Sequence, residues 1–91
     1  MAVSIRIPTP MRNLTGGAPE VSVEAATLGA AIKALDAAHP GVAERVLDDA
    51  GALRRFVNVY VGDEDVRFLD GLETALADGF VVSIIPAVAG G

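Results

Sequence analysis

The chain contains no cysteine. That excludes disulfides, a thiol nucleophile and any cysteine-based metal site. Aromatic residues are scarce, 4% of the sequence, although 52% of it is hydrophobic. The core must therefore be aliphatic and compact, built from Ala, Val, Leu and Ile. Positive charge is also short, with seven Lys and Arg against twelve Asp and Glu and a net charge of −5. A nucleic-acid backbone or an anionic membrane needs a basic patch, so neither is expected as a partner. A basic protein surface suits this chain better. No apolar run approaches the roughly 18 residues of a membrane-spanning helix. The opening MAVSIRIPTP has neither the basic nor the apolar region of a secretory signal, so the expected location is the cytoplasm. No repeat, low-complexity segment or linker divides the chain, and 91 residues leave no room for a second core. One domain, residues 1–91, is expected.

What is present reads as a clear succession of elements. VSIRI alternates Val3, Ile5 and Ile7 against Ser4 and Arg6, the pattern of a half-buried strand. Pro8 and Pro10 stop it, TGGAP supplies turn chemistry through Gly16 and Gly17, and EVSVE alternates again. These predict a hairpin with a long loop. Thr27 is placed to cap a helix whose apolar residues Leu28, Ala31, Ile32 and Leu35 recur at helical spacing, and AHPG ends it. GVAERVLDDAG predicts a short second helical turn with Val42, Val46 and Leu47 inward. RFVNVYV, residues 55–61, is the strongest strand; GDED turns the chain, and VRFL is expected to return as its short partner. DGLETALADG predicts a one-turn helix, and FVVSII a last strand leading into PAVAGG. The order β-β-α-β-β-β describes an α+β domain, one mixed sheet covered on one face by one main helix.

Alternation along residues 55–61 puts Val57, Val59 and Val61 on one face and Phe56, Asn58 and Tyr60 on the other. The valine face is the core face, because Asn58 would be an unpaired polar group if buried. In the last strand Val82 and Ile84 point inward and Val81, Ser83 and Ile85 outward by the same rule. Phe56, Tyr60 and Ile85 would then form an apolar patch on the open face beside the C-terminal segment, the expected partner-binding site. A loop covering that patch is the competing reading.

Other chemistry-bearing residues read as structural. His39 lies at a helix end with no nucleophile or orienting acid in register with it. GDED lacks the ligand spacing of a calcium loop, Asp48 and Asp49 are a solvated pair, and no metal site is expected. Gly16-Gly17 has neither a following lysine nor a crossover helix, so it is a turn and not a phosphate loop.

IPTPMRNLTGG (7–17), RFVNVYVGDEDVRFLDGLETALADG (55–79) and VSIIPAVAGG (82–91) carry a resemblance that runs nearly end to end. With this element order and a Gly-Gly end, the chain resembles the MoaD/ThiS family of ubiquitin-like sulfur carriers, and within it the branch serving cysteine synthesis. The resemblance implies the ubiquitin-like β-grasp fold. It also implies a C-terminal segment, residues 86–91, that is a flexible tether for the Gly91 carboxylate.

The chain's own chemistry agrees. With no cysteine, the group available to hold sulfur, besides ordinary side-chain carboxylates, is the carboxylate of Gly91. A carboxylate is a poor electrophile and must first be activated, most simply as an acyl-adenylate from ATP. The chain has no phosphate-loop pattern, so a second protein must do this. Sulfide or a persulfide then displaces AMP and leaves a thiocarboxylate. The six residues from Pro86 to Gly91 reach about 20 Å when extended. Val88, Ala89 and Gly90 narrow toward the tip, and two glycines admit backbone close to a nucleotide. The resemblance implies three partners: an E1-like adenylating and sulfur-transferring enzyme, a cysteine synthase that accepts the sulfur, and a zinc peptidase that releases the product. It implies no bound cofactor, ATP being the activating partner's substrate. Two further readings stay open on sequence alone, the small subunit of molybdopterin synthase and a non-carrier β-grasp interaction module or protein modifier.

Overall fold

The computed structural model describes residues 2–86. Strand β1 (Ala2–Arg6) pairs antiparallel with β2 (Glu20–Glu24), with Val3 opposite Val23 and Ile5 opposite Val21. Helix α1 (Leu28–Ala38) and the short α2 (Val42–Val46) follow, then β3 (Val57–Val61), β4 (Glu64–Asp65) and β5 (Val81–Pro86). The strand order among the described residues is β2-β1-β5-β3-β4. The first and last strands lie side by side in parallel, and the other pairings are antiparallel. This is the expected mixed sheet under one main helix.

Local chemistry accounts for the elements. Thr27 caps α1, its Oγ1 accepting from the Ala30 N–H at 3.2 Å. Leu28, Ala31, Ile32 and Leu35 are all buried, the stripe that lays α1 on the sheet. Gly41, at φ 106°, turns the chain into α2, and Asp36 Oδ1 accepts from the Gly41 and Ala43 N–H groups at 3.1 and 3.0 Å. The same carboxylate thus satisfies two donors at the start of a very short helix. Val42 and Val46 point inward as expected, whereas Leu47 ends the helix half-buried.

Three segments depart from the sequence reading. The loop between β1 and β2 is a 3₁₀ helix, Thr9–Thr15, and burying Met11 and Thr15 makes it part of the core wall. Pro10 is tolerated there because a first helical turn needs no amide donor at that position. VRFL does not form a strand. Pairing stops after Glu64–Asp65, and Asp65 Oδ1 accepts from the Arg67 N–H at 2.9 Å to start a 3₁₀ turn, Val66–Phe68. In a strand Val66 and Phe68 would share a face; in the tighter turn Val66 is fully buried and Phe68 is 85% exposed. Strand β3 begins at Val57, two residues later than predicted, because the Val57 N–H donates to the Arg54 carbonyl at 3.1 Å and closes a turn over 54–57.

Candidate functional site

Strand β5 carries the chain out of the sheet, and its last residue, Pro86, lies opposite Val57. Proline cannot donate to a ladder, so the pair must be one that needs no bond. It is. The Val57 N–H turns to Arg54 and the Val57 carbonyl accepts from Arg67 Nη2 at 2.6 Å, both directed away from β5. Val57–Pro86 is thus a pair of the non-hydrogen-bonded kind, where a proline costs nothing. Gly91, Gly90, Ala89 and Val88 lie outside the described residues.

The faces of β3 and β5 fall as the alternation requires. Val57, Val59, Val61, Val82 and Ile84 are buried under the helix, and Asn58, Tyr60, Val81, Ser83 and Ile85 face the other way. Register places Asn58 opposite Ile85 and Tyr60 opposite Ser83. Tyr60 and Ile85 are therefore diagonal neighbours on the open face, within reach of each other for a large side chain. Ile85 is 49% exposed and Tyr60 is partly so. Phe56 is placed differently. It belongs to the 54–57 turn, so strand alternation does not aim it; it is 51% exposed, and the Arg54 guanidinium lies over its ring at 6.0 Å. The Arg54 Nε also donates to the Glu44 carbonyl at 3.0 Å, tying the turn to α2. Asp48, Arg54, Arg55 and Phe56 line a shallow hollow beside it.

Apart from Val81, the rest of the open face is mostly polar. Arg6 pairs with Glu20 at 3.7 Å, and the same row continues through Ser83 and Tyr60 to Asp65. Arg67, which the sequence reading passed over, is the most connected side chain there. Its Nη1 donates to Asn58 Oδ1 at 2.7 Å, and its Nη2 approaches the carbonyls of Arg54, Arg55 and Val57. Hairpin arithmetic could have found it. The two-residue Gly62-Asp63 turn pairs 61 with 64 and 60 with 65, and that register continued puts 67 across from 58. Gly62, at φ 63°, stands first in the turn, where a type II′ hairpin favours glycine. Phe68, Leu69 and Phe80 are further exposed large apolar side chains that the alternation did not single out. His39 caps the end of α1, its N–H donating to the Leu35 carbonyl at 2.8 Å. Among the described residues no group of three His, Asp or Glu side chains could hold a metal ion.

The model of the ThiS family matches residues 5–91. Sulfur carrier protein CysO of Mycobacterium tuberculosis is 55% identical over 93 aligned positions, covering all of both chains. The crystal structure of that CysO superposes with a TM-score of 0.90 at 53% identity, over 94% of this chain and 99% of the other. A chain of the Amycolatopsis orientalis BexX/CysO complex superposes with a TM-score of 0.92 at 45% identity, over 98% of this chain and 99% of that one. The matched span runs from Ile5 near the end of β1 through the last strand to the final glycine, and the protein belongs to the ThiS family of ubiquitin-like β-grasp proteins.

Proposed function

We propose that this chain is a sulfur carrier whose Gly91 carboxylate is adenylated, converted to a thiocarboxylate and used as a sulfur donor for cysteine synthesis. The observation that supports this most is similarity to CysO over the whole of both chains. The molybdopterin synthase reading and the modifier reading are not favoured, because the full-length relatives at 55% identity are named as sulfur carriers. In the fold, Pro86 ends β5 opposite Val57, at the border of the open face.

Activation requires an E1-like adenylating enzyme with ATP, whose nucleotide must meet the Gly91 carboxylate. The open face with Tyr60 and Ile85, and Phe56 at its border, is the surface on which that enzyme docks. A chain of a BexX/CysO complex superposes on this one, which supports a carrier that works in complex with a partner protein. A cysteine synthase that accepts the sulfur and a zinc peptidase that frees the product complete the scheme. In it the thiocarboxylate sulfur displaces the leaving group of an activated serine. The resulting thioester rearranges from sulfur to nitrogen, leaving cysteine on the chain's end for hydrolytic release.

Mass spectrometry tests the reading directly. With its adenylating enzyme, ATP and sulfide, the intact chain gains the mass of one oxygen-to-sulfur replacement, and fragmentation places it on Gly91. Deleting Gly91 leaves an equally reactive carboxylate about 3.3–3.6 Å short of the nucleotide. A misplacement of about 1 Å can cost a hundredfold in rate, so the shortened chain is inert. Sulfur on any other residue, or full activity without Gly91, would end the carrier reading.

A further inference from the structure

Phe56 has no strand to hold it. It sits third in the 54–57 turn, half exposed, at the border of the proposed docking face. A large side chain on an unsupported turn must be ordered when a partner arrives, and that ordering weakens association. The turn, however, is supported from one point.

Arg67 Nη2 lies 2.7 Å from the Arg54 carbonyl oxygen, 2.6 Å from that of Val57 and 3.3 Å from that of Arg55. Its two hydrogens serve the two short contacts, and the third acceptor shares one of them. Nη1 donates to Asn58 Oδ1 at 2.7 Å. The carbonyls on both sides of Phe56 are thus gathered by one guanidinium, whose planar fork offers several donors in fixed directions. Arg67 is itself well anchored. Its N–H donates to Asp65 Oδ1 at 2.9 Å, and the preceding Val66 is buried in the core. The contacts stand where β4 has ended and β3 would otherwise present a free edge. The Arg54 guanidinium lies 6.0 Å from the centre of the ring.

We propose that Arg67 is a positioning residue for partner docking: by clamping the 54–57 turn it presents Phe56 in the orientation the activating enzyme meets. The role assigned to the partner rests on the sulfur-carrier reading; the clamp on Phe56 does not. Lysine separates this role from direct charge contact, because an ammonium keeps the charge and loses the fork.

The test uses the full chain and the E1-like adenylating enzyme of its own organism, with ATP–pyrophosphate exchange followed against carrier concentration. Arg67→Lys and Arg67→Met should each raise the half-saturating concentration about tenfold. The maximal rate should stay unchanged, since the Gly91 carboxylate is untouched. Arg67→Met added to Phe56→Ala should cost no more than about twofold beyond Phe56→Ala alone, because both changes act through one ring. Without any partner, the Phe56 ring resonances in Arg67→Lys should move toward those of a solvated phenylalanine, and the Val57 amide should exchange faster. Wild-type docking in Arg67→Lys, full additivity with Phe56→Ala, or a fall confined to the maximal rate would each overturn the proposal. If the wild-type chain is never adenylated, the carrier reading fails, and unchanged Phe56 resonances in Arg67→Lys still decide against the clamp.

Discussion

Ile84 and Ile85 are neighbours of identical chemistry, and the sheet gives them opposite fates. Ile84 is 3% exposed and packs beneath α1 with Val59 across from it; Ile85 is 49% exposed, opposite Asn58. The helix-covered face is continuous, aliphatic and free of charge, running through Ile5, Val59, Val82 and Ile84 to Ile32 and Leu35. The open face mixes serine, ion-paired Arg6 and Glu20, an asparagine held by Arg67, and a few apolar side chains. Stability resides on one side of a single layer of backbone. The other side is free to be chosen for recognition, because changing it leaves the core alone.

Substitutions can break that division or sharpen it. Ile84→Ala should cost about 2–5 kcal/mol, the usual loss for a buried isoleucine. Thermal unfolding would register about 4–8 °C for each kcal/mol in a domain this small. Thr27→Ala removes the cap of the covering helix and should cost about 1 kcal/mol by the same measurement. Ile85→Ala on the open face and Phe56→Ala at its border should stay within about 0.5 kcal/mol of wild type while weakening activation by the adenylating enzyme. A core phenylalanine would instead lose about 3–5 kcal/mol. Equal destabilisation by Ile84→Ala and Ile85→Ala would therefore abolish the distinction between faces. Glu20→Gln is the smallest expected change. It breaks an ion pair whose side chains are 66% and 50% exposed, worth at most a few tenths of a kcal/mol by chemical denaturation.

Period and propensity make the closed face legible in the sequence. The valines of β3, the pair Val82 and Ile84, and the α1 stripe each obey a simple spacing, and burial follows spacing wherever an element is regular. The two strand failures share a cause. At 54–57 and at 66–68 a local bond overrides alternation, namely a backbone turn and an aspartate cap, while at 9–15 the expected loop winds into a proline-started 3₁₀ helix. Phe56 is exposed as alternation predicts, but it stands in a turn ahead of the strand. Of the candidate site, Tyr60 and Ile85 came from parity alone. Arg67 did not, since its role depends on four acceptors brought together by the hairpin and the turn.

The last strand made is the one that closes the middle of the sheet. Strand β5 lies between β1 and β3, parallel to the first and antiparallel to the other. During synthesis the chain can form its first hairpin and its helix early, but the two halves of the sheet have nothing to join them until residues 81–86 are available. Contacts that distant in sequence form late and slowly. A ribosome-bound or prematurely stopped chain therefore leaves β1 and β3 as open edges, the kind of surface that proteases and chaperones recognise. Pro86 therefore takes its place opposite Val57 only when the two halves of the sheet have been joined.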